Sequence, residues 1–364
     1  MKIAFRADAS LQIGSGHVMR CLTLADALKQ KGAECHFLCR EHPGHLLELV
    51  RGKGHVVHVL PCEPESPIDR DGSAHAAWLG ATQEQDAQAC LPILQALQPD
   101  WLIVDHYALD ISWEERLRPF CQRLMVIDDL ADRPHGCDLL LDQNLGRQAS
   151  DYAGLIPVQC TVLAGPQYAL LRPEFAVLRE YSLKRREQSR FQNLLITMGG
   201  VDEPNATGRV LEALKQCPLP DDLQINVVLG PKAPWLEQVQ AIAVDMPWPT
   251  KVRVNVTDMA KCMADCDLAI GAAGSTSWER CCMGVPALMV ILAENQAAIG
   301  NALQLNGAAI LIGAHADSGF EERCSTVLLE LIRADGLLRA MSKAAADVTN
   351  GAGSEKVARW LLNE

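Results

Sequence analysis

Ile3-Ala4-Phe5, followed eight residues later by Ile13-Gly14-Ser15-Gly16-His17-Val18-Met19-Arg20, reads as strand, glycine loop and helix, with Val18 to Leu28 apolar at helical spacing. Glycines accept backbone conformations that a side chain forbids, so such a loop lets the main chain approach a ligand. The helix start behind it presents unpaired N–H groups and a partial positive charge. A histidine held there, His17, is biased toward neutral imidazole, the form a general base requires. A Gly-x-Gly turn is also common in parallel α/β proteins, and both readings stay open on this stretch alone.

The same grammar extends outward. Glu34 to Cys39 and Val56 to Leu60 read as strands, Leu46 to Arg51 and Gln83 to Leu97 as helices, and Pro61 to Ser73 as a surface loop. Trp101 to Val104 and Leu124 to Ile127 are continuous apolar runs of buried-strand type, followed by Asp105-His106-Tyr107 and Asp128-Asp129. Open α/β sheets hold ligands just past the carboxyl ends of their strands. Asp128 and Asp129, pointing different ways, are expected to end a strand and bond to a loop rather than act as a dyad.

A second half starts over. Arg172 to Glu187 is a charged helical connector whose run Lys184-Arg185-Arg186-Glu187 is expected to be solvated. Asn193 to Thr197, Gln224 to Leu229, Val252 to Val254 and Leu268 to Ile270 read as strands. Asn205 to Gln216, Trp235 to Val244 and Met259 to Asp265 read as the helices between them. The fold class is α/β, with two Rossmann-like parallel-sheet domains facing a central cleft. The first covers residues 1–172, the connector 173–190, the second 191–350, and a terminal helix 351–364.

The totals narrow the function classes. With 49% apolar and 21% charged residues in 364, the chain is globular and long enough for two cores. A net charge of -12 argues against bulk binding of nucleic acid or an anionic membrane, so an anionic ligand must meet local donors. The fourteen cysteines lack metal-knuckle spacing, and no apolar run reaches membrane-spanning length. Nothing at the amino end resembles a signal peptide, so reduced thiols in a cytoplasmic protein are expected. No HExxH, CxxC or clustered acidic box appears, and no metal or cofactor is expected.

Gly271-Ala272-Ala273-Gly274-Ser275-Thr276-Ser277-Trp278-Glu279 joins a buried strand to a helix and is a ready phosphate or diphosphate site. Glu279, one turn beyond Ser275, is placed to accept from two neighbouring hydroxyls such as those of a ribose; a merely capped helix is the other reading. Ala273-Gly274-Ser275 with Glu279, preceded by Asn255-Val256-Thr257-Asp258-Met259-Ala260, resembles the nucleotide-sugar half of GT-B proteins related to the N-acetylglucosaminyl transferase of peptidoglycan synthesis. The resemblance implies that the backbone at Val256 holds uracil, that the loops at Met198-Gly199-Gly200 and Gly274-Ser275 hold diphosphate, that Glu279 holds ribose, and that Asn295-Gln296 meets the sugar.

Gly14 to Arg20, Val104-Asp105-His106-Tyr107, Ile127-Asp128-Asp129-Leu130-Ala131, Leu141-Asp142-Gln143-Asn144 and Tyr168-Ala169-Leu170-Leu171-Arg172-Pro173 together resemble the UDP-2,4-diacetamido-2,4,6-trideoxy-β-L-altropyranose hydrolases of bacterial pseudaminic acid synthesis, from Arg6 to about Asn301. In that family the histidine at the position of His17 activates the water that displaces UDP at the anomeric carbon with inversion. The glycines around Gly16 then clear space for sugar and water. UDP leaves without strong acid help where donors absorb its charge. Asp8 and Arg20 flank His17 and are supporting candidates, an Asp8–Arg20 ion pair being the alternative. Asp105, His106 and Tyr107 are candidates for the acetamido sugar, with a loop cap as the other reading of His106. Asn144, Tyr168 and Arg172 are further candidates. The resemblance also suggests that the helix near Glu355 to Leu362 crosses back to the first half.

The expected partner is thus a small UDP-sugar, and a monomer is expected. The rivals are a GT-B glycosyltransferase, a non-catalytic nucleotide-sugar binder, and a nicotinamide-dependent dehydrogenase. Against the last, Met19 occupies the third glycine position and the second strand ends at Cys39-Arg40 without an acid.

Overall fold

Along the first strand Ile3 and Phe5 face one side and Ala4 the other, and all three are fully buried, which is why the run is apolar without alternation. In the computed structural model, which describes residues 1–62, 75–187, 191–231 and 233–363, this strand is β1 (Lys2–Ala7). It lies inside a parallel sheet, third of seven strands, with β2 (Glu34–Arg40), β3 (Val56–Leu60), β4 (Trp101–Asp105), β5 (Arg123–Ile127), β6 (Leu139–Asp142) and β7 (Thr161–Ala164), in the order β3-β2-β1-β4-β5-β6-β7. Between the strands run α1 (Gly16–Gln30), α2 (Leu47–Gly52), α3 (Gln83–Leu97) and α4 (Ile111–Leu117). One core includes Phe5, Val18, Leu24 and Ile103; the opposite one includes Ala4, Leu94, Leu102 and Trp113. Most of the loop expected at Pro61 to Ser73 lies outside the described residues.

The second sheet is built from β8 (Asn193–Thr197), β9 (Gln224–Leu229), β10 (Thr250–Val254), β11 (Leu268–Ala272), β12 (Ala287–Ile291) and β13 (Ala309–Ala314), ordered β10-β9-β8-β11-β12-β13. Its helices are α5 (Pro173–Arg186), α6 (Ala206–Lys215), α7 (Leu236–Val244), α8 (Met259–Asp265), α9 (Thr276–Cys282), α10 (Ala297–Leu305), α11 (Phe320–Arg333) and α12 (Leu337–Val348). The chain forms two units, Met1–Leu170 with Gly353–Glu364, and Leu171–Ala352. The last helix, α13 (Gly353–Leu361), therefore belongs to the first unit: Val357, Ala358 and Leu361 enter its core, and Trp101 Nε1 donates to the Leu361 carbonyl at 3.1 Å.

The connector is not the wet spacer that its charge run suggests. Helix α5 is part of the second unit, where Arg185 pairs with Asp267 at 2.7 Å and Arg186 is 2% exposed. Arg186 donates to the carbonyls of Met263 and Cys266, both at 2.6 Å, satisfying acceptors that the end of α8 leaves open. Among the described residues no helix is long and apolar enough to cross a membrane.

Candidate functional site

Strand order reverses between β1 and β4 in the first sheet, the crevice where such sheets place ligands. Three expected residues meet there. Asp105, the last residue of β4, is wholly buried, and His17, at the first turn of α1, contacts its Oδ1 through Nδ1 at 2.6 Å. Arg20, one turn further along α1, donates its Nε to Oδ2 and its Nη2 to Oδ1, both at 2.7 Å. Burial opposes the charge on Asp105, but Arg20 and His17 outweigh it and hold the carboxyl far below its usual range. An ionised carboxylate only accepts, so the imidazole Nδ1 carries a proton, and in the neutral ring Nε2 keeps its lone pair for a substrate proton.

This arrangement corrects two expectations. Asp105 has no surface to offer a sugar; both its oxygens serve His17 and Arg20. Arg20 does not pair with Asp8 but with Asp105 and, through Nη1 at 2.6 Å, with Asp129. Asp129 also accepts from the Tyr107 hydroxyl at 2.7 Å, and the Tyr107 ring stands edge-on to His17 with centroids 4.5 Å apart. Asn144 joins the same group by donating to the Asp129 carbonyl at 3.1 Å. Asp128 bonds to its own loop through the amides of Leu130 and Ala131, as expected, whereas Asp129 belongs to the site. Two aromatic neighbours of Tyr107, His75 and Trp78, carried no sequence signal; their rings lie 5.2 and 5.8 Å from its own.

Asp8 anchors a separate buried network. It pairs with Arg6 at 2.7 Å and accepts from the Arg40 amide at 2.7 Å, while Arg6 and Arg40 both reach Asp86. Its other oxygen faces Nε2 of His106 at 3.5 Å and of His42 at 3.6 Å. His106 Nδ1 accepts from the Ala108 amide at 3.1 Å, the loop cap that was its other reading, and burial pulls its pKa down. Tyr168 packs on the core beneath α13, with Lys356 Nζ 6.0 Å from its ring. Gly16 opens α1, while Gly14, at φ 79°, makes the turn before it.

In the second sheet the order reverses between β8 and β11. Met198 follows β8 but is a core side chain, 3% exposed, so its side chain is not offered to a ligand. Gly199 adopts φ 96° and Gly200 packs so tightly on Gly230 that a side chain on Gly230 would strike its carbonyl. The start of α6 is already occupied, because Asp202 accepts from the amides of Ala206 and Thr207 at 2.9 and 2.8 Å. The start of α9 differs: Ser275 is exposed and makes no side-chain cap. Gln296 borders Gly274 and accepts from the Leu292 amide at 3.1 Å; Asn295 and Val256 are half-buried. Burial pushes the Glu279 carboxyl up to about 7 against the pull of Arg172, whose Nη2 lies 3.6 Å away. No group of three or more His, Cys, Asp or Glu among the described residues is arranged to hold a metal ion.

Spore coat polysaccharide biosynthesis protein SpsG of Bacillus subtilis is 33% identical over 317 residues, 86% of this chain and 84% of its own length. The chain belongs to the SpsG family. A second relative of this SpsG-family chain is the UDP-2,4-diacetamido-2,4,6-trideoxy-beta-L-altropyranose hydrolase of Campylobacter jejuni, 27% identical over 243 residues, 67% of this chain and 74% of that protein. Uncharacterized protein MJ1062 of Methanocaldococcus jannaschii is 26% identical over 300 residues, 81% of this chain, which spans only 56% of its length. No family model matches the chain. Among solved structures, MurG of Acinetobacter baumannii superposes with a TM-score of 0.72 at 19% identity, covering 100% of this chain and 99% of its own. The fold class is GT-B, with two parallel-sheet α/β units of seven and six strands.

Proposed function

We propose that the protein hydrolyses a UDP-linked 2,4-diacetamido-2,4,6-trideoxyhexose, of the kind the Campylobacter relative is named for, to UDP and free sugar. The observation that carries this reading is the His17–Asp105–Arg20 clamp at the β1/β4 crevice, a buried carboxylate that leaves one imidazole nitrogen for a reacting proton. In the reaction His17 Nε2 takes a proton from water as its oxygen bonds to the anomeric carbon. The bond between that carbon and the diphosphate oxygen breaks on the opposite face, giving inversion, and His17 returns the proton to solvent. The Gly199-Gly200 and Gly271 to Ser275 loops hold the departing diphosphate, with Glu279 on the ribose, the backbone at Val256 on uracil, and Asn295 and Gln296 on the sugar. Tyr107, which borders His17, and Asn144, which is bonded to Asp129 of the same group, contact the acetamido sugar.

A transferase of the same fold would use the same donor and pass the sugar to a hydroxyl. Incubation with the UDP-sugar in heavy-oxygen water, without acceptor, separates the two. The expected result is stoichiometric UDP, label in the sugar, and loss of turnover by roughly a hundredfold or more in His17→Ala. Label in UDP would overturn attack at carbon, and no release without an acceptor would favour the transferase.

A further inference from the structure

Among the described residues the buried arginines place most of their donors, with an exception. Arg6, Arg20, Arg40 and Arg133 pair with carboxylates, and Arg186 caps the carbonyls of α8. Arg280, on α9 and 1% exposed, has only neutral acceptors: its Nη2 donates to the Ala272 carbonyl at 2.7 Å and to Ser277 Oγ at 3.0 Å. Its Nε and Nη1 have no hydrogen-bond partner, and among the described residues it forms no ion pair. Burial pulls its pKa down, but a guanidinium stays charged near neutrality. The neighbouring Glu279 attracts it without a hydrogen bond, and a buried cation so weakly paired gains when a further anion arrives.

Its place in the fold says where that anion would sit. A Cβ on Gly271 would lie 2.7 Å from Arg280 Nη1 and 2.6 Å from the Thr197 carbonyl. The guanidinium therefore lies against the backbone where β8 and β11 end side by side, next to the two loops assigned above to diphosphate. We propose that Arg280 is the fixed cation of that subsite, attracting the diphosphate and stabilising it as a leaving group through a layer of backbone. It acts as a positioning charge without touching the ligand. The low dielectric around it keeps the interaction strong at such a range. This inference rests on the assignment of the loops to a nucleoside diphosphate.

The test is calorimetric titration of the full chain and of Arg280→Met and Arg280→Lys with UDP, inorganic pyrophosphate and uridine. UDP and pyrophosphate affinity is expected to fall roughly tenfold or more in Arg280→Met, with uridine changed less than about twofold and Arg280→Lys recovering most of the loss. Equal losses for UDP and uridine, or a lysine variant as weak as the methionine one, would mean that Arg280 only shapes the loop. Should Arg280→Met fail to fold, Arg280→Lys decides by the same ratio of UDP to uridine: a selective loss of UDP above about threefold would sink the charge argument. Unchanged UDP binding in Arg280→Met overturns this inference alone. Failure of the parent chain to bind UDP or pyrophosphate overturns the reading of the loops as well.

Discussion

Asp105 is the residue on which the first site turns, because one carboxylate both fixes the His17 ring and anchors Arg20. Asp105→Asn would keep the size and lose the charge, and the amide can offer Nδ1 a donor as readily as an acceptor. Turnover is expected to fall roughly a hundredfold or more while UDP affinity is unchanged. A variant that lost both together would point to collapse instead. The second titrating residue is Glu279, whose folded value near 7 stands above that of an unfolded glutamate, about 4.3. The folded chain thus keeps this proton longer, so the stabilising contribution is complete below about pH 4 and is lost as pH rises toward 7. Glu279→Gln removes the dependence. Its stability is expected to pull ahead of the parent between pH 5 and pH 8 by roughly 1 to 3 kcal/mol, read from denaturant midpoints. A constant gap would contradict the assignment. His17 was legible because a glycine loop and a helix start mark it locally. Its true partner was not, since the contact joins residues 88 apart and sequence offers no sign of which aspartate a fold will bring home.

Elements were legible where burial writes a long pattern. Strand β4 and strand β8 announce themselves as continuous apolar runs, but β6 and β7, four residues each, are too short to stand out from a buried turn. The misread α5 teaches the opposite lesson: Arg186 looks solvated in sequence, yet a long side chain can bury its stem and spend its donors on the carbonyls of a neighbouring helix end. Helix α13 has the clearest mechanical duty. Gly353 sits so close to the Ala169 carbonyl that a side chain would lift the helix start, and Leu361, 0% exposed, fills the core at the other end. Leu361→Ala is expected to cost about 2 to 5 kcal/mol of first-unit stability in urea unfolding. A loss below about 1 kcal/mol would show that α13 is an ornament on that core.

For the whole molecule, the proposed roles divide between the two units. Residues 1–170 and 353–364 contain the His17 group, while every loop assigned to UDP lies within 171–352. The net charge of -12 repels an anionic ligand at long range, so under the proposed function affinity for UDP would arise from local donors in the second unit. Binding and turnover should therefore come apart. Saturating UDP, at about a hundredfold above Kd, is expected to stabilise the second unit by roughly 2.7 kcal/mol. The same ligand should slow amide exchange at Met198 to Gly200 and Gly271 to Thr276, and His17→Ala should show the same protection as the parent chain. Exchange slowed first at Gly14 to His17 would relocate the diphosphate to the opening glycine loop, and the assignment of roles between the two sheets would have to be reversed.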